Sequence, residues 1–173
     1  MVASGARIWL HAFVEKVPAM RREKLNVAVP VEGAAKRGRY VLDYQVGFLL
    51  RIALQRHTAI FMKYMVEGLT QTQFAALAKL LELGTCSQND LGRRIYLDAA
   101  TIKGVVDRLA VRGFLTAVSD PKDRRRRAVA LTERGRQVTE AAELVAAEIT
   151  AATLAAFSEA ERRDVVRLLR KLG

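Results

Sequence analysis

The chain holds one cysteine, Cys86, and only three prolines among its 173 residues. A disulfide scaffold is thereby excluded, and with 11 glycines a collagen-like repeat is excluded too. Two histidines and a single cysteine cannot by themselves furnish a Cys/His zinc site, so no metal is expected. No run of about 18 uncharged apolar residues exists to cross a bilayer, because the richest run is broken by Arg51, Arg56 and Lys63. The apolar patch around Ile8 to Val14 is short, contains His11 and lies between Arg7 and Glu15, which is poor material for a secretory signal. A cytoplasmic protein is expected. The signatures G-x-x-x-x-G-K-[ST], G-x-G-x-x-G, G-x-S-x-G and H-E-x-x-H are all missing, so neither an enzyme nor a bound cofactor is expected. Glu159 and Glu161 form a carboxylate pair, but they stand where a helix capping box explains them.

What is present is one domain's worth of ordinary globular composition, 51% hydrophobic and 27% charged. The net charge of +11 is unevenly spread. Residues 1–40 carry an excess of +5, residues 41–88 of +1, residues 89–127 of +5 and residues 128–173 of 0. A basic block inside an otherwise neutral body reads as a footprint for a polyanion, since neutralising phosphates releases counterions.

Residues 1–40 mix glycine, proline and basic residues without periodicity, and a loosely ordered basic arm is expected there. From Asp43 to Val66 apolar residues recur at helical spacing, predicting a long first helix closed by Gly68. Thr70 with Gln73 makes a capping-box pair for a second helix closed by Gly84. Ser87 with Asp90 opens a short third, ending near Ile95. Asp98 is placed to cap a fourth, with Ile102, Val105, Val106 and Leu109 inward and Gly113 at its end. Phe114 to Val118 and Ala128 to Leu131 read as two strands around an arginine-rich turn. Thr132 caps an alanine-rich helix to about Ala156, and Ser158 with Glu161 boxes a last one through Leu172. The expected fold is mainly α with a small β-wing, in the order α-α-α-α-β-β-α-α.

Two short helices joined tightly and followed by a hairpin form the winged helix-turn-helix, whose second helix enters the DNA major groove. With its apolar face buried, that helix turns Ala99, Ala100, Lys103, Gly104 and Asp107 outward. Small side chains let it sit deep in the groove, where alanine methyls meet thymine methyls and Lys103 donates to guanine O6 or N7. Thr101, Arg108 and Arg112 lie at the edges of that face, where phosphates run. In the hairpin tip, alternation along a ribbon lets about half of Arg124, Arg125, Arg126 and Arg127 reach one groove. Arg125 is the choice for a narrow minor groove, braced by Asp123.

The run Leu91-Gly92-Arg93-Arg94-Ile95-Tyr96-Leu97-Asp98-Ala99-Ala100-Thr101-Ile102-Lys103-Gly104-Val105-Val106-Asp107-Arg108-Leu109, followed by Arg112-Gly113-Phe114-Leu115, resembles the core of the MarR family of bacterial regulators. Asp123-Arg124-Arg125 and then Leu131-Thr132-Glu133-Arg134-Gly135 are similar to that family's wing and the start of its fifth helix. The sequence departs from the pattern at Gly104, where many relatives carry a larger polar residue. The resemblance covers roughly residues 43–172 and leaves 1–40 outside. It implies a homodimer on a pseudo-palindromic operator, commonly a repressor released by a small molecule or by oxidation. The implied layout is a basic arm over 1–40 and a MarR-like domain over 41–173. Its dimerisation region comprises 41–68 and 132–173, and its DNA-binding lobe 69–131.

Dimerisation also follows from apolar surface: Leu154, Phe157, Leu168, Leu169 and Leu172 exceed what one small lobe can bury. The resemblance further implies an effector pocket between the first helix, the second and the DNA-binding lobe. Arg51 and His57 lie on an otherwise apolar helix, where a buried cation needs a partner. An anionic aromatic ligand, an aromatic carboxylate or its coenzyme A thioester, supplies one, with Phe61, Tyr64 and Phe74 packing its ring; the alternative is an internal hydrogen bond for His57 and a solvated Arg51. Two other readings remain open at this point. One is a basic protein indifferent to nucleic-acid sequence. The other is redox sensing through Cys86, against which stands the lack of a second cysteine to resolve a sulfenic acid.

Overall fold

The computed structural model describes residues 41–119 and 127–172. They belong to two units divided between Tyr44 and Gln45; of the first only 41–44 are described, including a 3-10 turn at Leu42–Tyr44. The basic arm expected over 1–40 and the hairpin tip over 120–126 lie outside the described residues. The second unit has the expected order: α1 (Val46–Tyr64), α2 (Gln71–Leu83), α3 (Gln88–Arg94), α4 (Ala99–Val111), β1 (Leu115–Ser119), β2 (Arg127–Leu131), α5 (Glu133–Thr153) and α6 (Glu159–Leu169). No helix among the described residues is long and apolar enough to cross a membrane.

All five helix starts expected from a capping residue are built as such. Thr70 with Gln73, and Ser158 with Glu161, form complete capping boxes. Thr132 accepts from the Gly135 amide, and Ser87 accepts from the Asp90 amide. Asp90 does not reach back to complete a box; its carboxylate pairs instead with Arg93 and Arg94 at 3.1 and 2.8 Å. Helix ends depart more. α1 stops at Tyr64, not at Gly68, because Met65 turns extended to bury its side chain, and Val66–Gly68 follows as a separate 3-10 turn. α5 stops at Thr153, short of Ala156. The hydroxyls of Thr150 and Thr153 fold back onto the Ala146 and Ile149 carbonyls, and Arg162 Nε donates to those of Leu154 and Phe157 in the following turn.

The core is assembled around Phe114, Leu69, Leu77, Leu80, Leu91, Ile102, Leu109 and Ile149, all sealed from solvent. Each such side chain contributes about 1.5–3 kcal/mol of transfer free energy. α3 and α4 cross closely at Gly92, where a Cβ would stand 3.0 Å from Ile102 Cγ2. The hairpin runs antiparallel with Leu115 opposite Leu131 and Ser119 opposite Arg127. Cys86 extends it on the other edge: its backbone exchanges hydrogen bonds of 3.3 and 2.9 Å with Val129. Thr132 then ties the hairpin to α4, its hydroxyl donating to the Gly113 carbonyl at 2.7 Å.

α6 stands apart. None of its residues is buried, and Leu168 and Leu169 are about half exposed at 50% and 51%, beside exposed Phe157, Val166 and Leu172. Along α1, Leu49, Leu50, Ile52, Leu54 and Met62 are exposed as well. Apolar area of this extent is rarely left to water on a monomer.

Two substitutions test this packing. A methyl group on Gly135, in the first turn of α5, runs into the carbonyl of Phe114, so Gly135→Ala is expected to cost about 3 kcal/mol in urea unfolding; a neutral result contradicts the close approach of α5 to the hairpin. Tyr96, in the turn between α3 and α4, is 89% exposed with a left-handed φ of 57°. Tyr96→Gly is expected to stabilise by about 1 kcal/mol by relieving that conformation, and destabilisation would contradict it.

Candidate functional site

One face of α4 is committed to the core through Ile102, Val105, Val106 and Leu109. The opposite face is therefore turned to solvent, and Ala99, Ala100, Thr101, Lys103, Asp107 and Arg108 are all exposed on it. Its first turn is fixed by Asp98, whose carboxylate accepts from the amides of Ala100 and Thr101 at 3.0 and 2.9 Å and from the Thr101 hydroxyl at 2.6 Å. These bonds, first that of the Thr101 hydroxyl, hold the Asp98 carboxyl below its ordinary range. The Thr101 proton is thus spent on the cap, leaving its oxygen as an acceptor only.

Lys103 lies in an i,i+4 pair with Asp107 at 2.6 Å, so its ammonium is positioned along the exposed face. Arg108 reaches back over Gly104, where an added Cβ would meet its guanidinium at 3.4 Å. The bare position at Gly104 is thus covered by an arginine. Arg112 is engaged internally: its Nη2 donates to the Glu67 carbonyl and lies 3.5 Å from the Glu67 carboxylate, with the guanidinium 4.6 Å over the ring of Phe114. Asp123, Arg124 and Arg125 lie outside the described residues. On α3, Arg94 and then Arg93 hydrogen-bond to Asp90 and hold its carboxyl low.

A second feature is a cavity of about 240 Å³ between α1, α2 and α5, lined by His57, Phe61, Gln71, Phe74, Ala146, Ile149 and Thr150. Three expected effector residues, His57, Phe61 and Phe74, come together here, with ring centroids 6.2 Å apart for His57 and Phe61 and 6.1 Å for Phe61 and Phe74. Arg51 and Tyr64 are not among the lining residues. Arg51 is exposed rather than a buried cation: it bonds Gln55 at 3.4 Å and lies over Phe48, because at about 100° per residue it points well away from His57. Tyr64 packs against the core and has Lys63 over its ring at 4.9 Å.

The internal hydrogen bond of His57 fixes its tautomer. Thr153 Oγ1 gives its only proton to the Ile149 carbonyl at 2.8 Å, so at its 2.9 Å contact with His57 Nδ1 it can only accept. With the hydroxyl proton on the Ile149 carbonyl, the ring proton sits on Nδ1 and Nε2 of the neutral imidazole is an acceptor. Gln71 spends an amide hydrogen on Thr58 at 3.4 Å and keeps its carbonyl oxygen. Gln71, Ala146, Ile149 and Thr150 were invisible as site residues in the sequence; the only hint was the inward phase of Ile149 on α5. Among the described residues, no group of three or more histidine, cysteine or acidic side chains is arranged to hold a metal ion.

Residues 69–126 match the MarR family. The chain is 40% identical over 134 residues to the HTH-type transcriptional repressor NicR of Pseudomonas putida, a match covering 77% of this chain and 85% of that protein. A solved probable transcriptional regulator from Pseudomonas aeruginosa is 47% identical, with a TM-score of 0.74 over 77% of this chain and 100% of its own. The structure of Bordetella bronchiseptica BpsR, described as giving the mechanism for regulation of its DNA binding by 6-hydroxynicotinic acid, is 42% identical with a TM-score of 0.73, over 78% of this chain and 97% of its own.

The Asp98 cap carries a pH signature. Asp98→Ala is expected to lower the thermal midpoint at neutral pH. Because the folded carboxyl titrates below its ordinary value, its stabilisation is fully present above about pH 4 and is lost as pH falls through the lowered value. The gap between the two proteins in thermal melts should accordingly close in acid, and a gap that widened would contradict the cap.

Proposed function

This chain belongs to the MarR family, and on that premise we propose that it is a homodimeric transcriptional repressor that binds a pseudo-palindromic operator and is released from it by a small aromatic acid. The observation that carries this reading is the division of α4 into one sealed face and one exposed face of small residues around Lys103. Ala99 and Ala100 allow the helix into the major groove, Lys103 reads a base edge, and Thr101 and Arg108 flank it at the phosphates. Arg112 contributes by holding the end of α4. Asp123, Arg124 and Arg125 are assigned to the wing's groove contact on sequence alone.

A second copy covers the exposed apolar faces of α6 and α1, joining 41–68 and 132–172 of two chains under a twofold axis. Two α4 helices about 34 Å apart then require an inverted repeat.

For the effector, the cavity's size selects. About 240 Å³ is the share of roughly eight liquid waters, room for one substituted ring; a coenzyme A thioester would leave its nucleotide outside the cavity. Phe61 and Phe74 pack the ring, and His57 Nε2 accepts from a ring hydroxyl or ring N–H. A ring bearing a hydroxyl or N–H meets these demands; among the described residues no arginine or lysine lines the cavity, so the carboxylate of the proposed effector rests on the likeness to BpsR, whose DNA binding is regulated by 6-hydroxynicotinic acid. Cys86 is assigned to the edge of the hairpin sheet, where its backbone is paired and its side chain packs on the core, rather than to redox sensing.

Competition binding to DNA from upstream of its own and neighbouring genes tests the proposal. The wild type should prefer its site over mixed-sequence DNA by about 10³-fold or more, and Lys103→Ala should cut that preference about tenfold while weakening mixed-sequence binding little. 6-Hydroxynicotinic acid, as a probe, should raise the thermal midpoint of the wild type but not of His57→Ala. Equal affinity for all sequences would replace this reading with that of a nonspecific basic binder.

A further inference from the structure

The turn that joins α1 to α2 has both of its flanks in the wall of the cavity, Phe61 upstream and Gln71 downstream. Its middle is gripped by the opposite end of the reading lobe. Glu67 accepts Arg112 Nη2 on its backbone carbonyl, and its carboxylate lies 3.5 Å from Arg112 and 3.8 Å from Arg134. The two guanidiniums lie 4.6 and 5.1 Å from the centre of the same Phe114 ring. One carboxylate thereby ties the α1–α2 turn to the C-cap of α4 and to the first turn of α5. Glu67 also has a left-handed φ of 54°, a conformation that is costly for a residue with a side chain and that its contacts must hold in place. The arginine pair does so here.

We propose that Glu67 is a positioning residue that seats α4 for DNA and is the point through which the cavity acts on it. The inference rests on the ligand-responsive reading above and names its route. A group entering the cavity moves Phe61 and Gln71 apart, the turn between them shifts, and Arg112 is carried with Glu67. α4 is a rigid rod of about 18 Å, so a displacement at Arg112 swings Ala99 and Ala100 at its other end out of register with the groove. Coupling of this kind needs a contiguous set of contacts with two arrangements, and the Glu67 cluster is the contact between the cavity wall and the reading helix.

The sign of one substitution decides the matter. Removing an acidic charge from a DNA-binding lobe should by Coulomb's law alone tighten binding to every sequence. Glu67→Gln is expected to do the reverse at the operator, weakening it about tenfold, within the usual range of coupling effects, while leaving mixed-sequence DNA bound as well as before or better. Operator binding that is unchanged or tighter overturns the proposal. The second arm fills the cavity without any ligand: Ala146→Phe, or Thr150→Phe should the first not fold by circular dichroism, is expected to weaken operator binding in an otherwise wild-type chain. In the Glu67→Gln background the same filling should cost less than in the wild type, because the carboxylate contacts to Arg112 and Arg134 are weakened and only the backbone carbonyl bond to Arg112 still joins the turn to α4. Additive losses overturn the role of Glu67. No loss from filling the cavity of the wild type overturns the ligand-responsive reading beneath it, a result distinct from failure of the first arm.

Discussion

Four side chains on one side of α4, Ile102, Val105, Val106 and Leu109, are sealed against the rest of the lobe, and the arrangement of the molecule around DNA depends on that burial. At about 1.5–3 kcal/mol per side chain, it fixes the rotation of the helix about its own axis. Rotation then dictates what faces outward: two alanines, a threonine held by the Asp98 cap, a lysine paired with an aspartate, and an arginine lying over a glycine. The close crossing at Gly92 and the Thr132 bond to Gly113 fix its two ends, so the exposed face is presented by a rigid body.

The same rigidity is what the proposed response to a ligand relies on. A short helix does not bend under a small push at one end; it tilts together with the lobe packed on it. The cavity lies at a distance from the exposed face, yet the short turn containing Glu67 has its flanks in the cavity wall and its middle on the last residue of the reading helix. On the proposal above, a volume change the size of one aromatic ring is converted into motion of a helix, with the Phe114 ring and its two arginines as the joint. The exposed faces of α1 and α6 are where the proposed dimer would form, and a tilt matters to DNA only where two such helices are held at a fixed spacing.

Much of this was legible in the order of residues, and the reason is locality. Thr70, Ser87, Asp98, Thr132 and Ser158 announce helix starts through bonds to backbone a few residues ahead. The inward face of α4 follows from spacing, and the match of those residues to a known family gave the rest of the architecture. What escaped depends on contacts distant in sequence. His57 and Thr153 are separated by 96 positions, Glu67 and Arg112 by 45, and no periodicity encodes either pairing. Arg112 reads as a phosphate contact from its place on the helix, and its bond to Glu67 left no mark in that spacing. Arg51 could be read either as a buried cation or as a solvated one, because much of the apolar surface of α1 around it is exposed rather than buried in the core. Cys86 joining the sheet and Tyr96 in a left-handed turn likewise left no local mark.

The most direct test of two reading helices held at a fixed spacing is a hydroxyl-radical footprint of the full chain on DNA flanking its own coding region. The account predicts two patches of protection related by a dyad, on one face of the duplex and about one helical turn apart between centres. A single asymmetric patch, or even protection along the whole fragment, would contradict it.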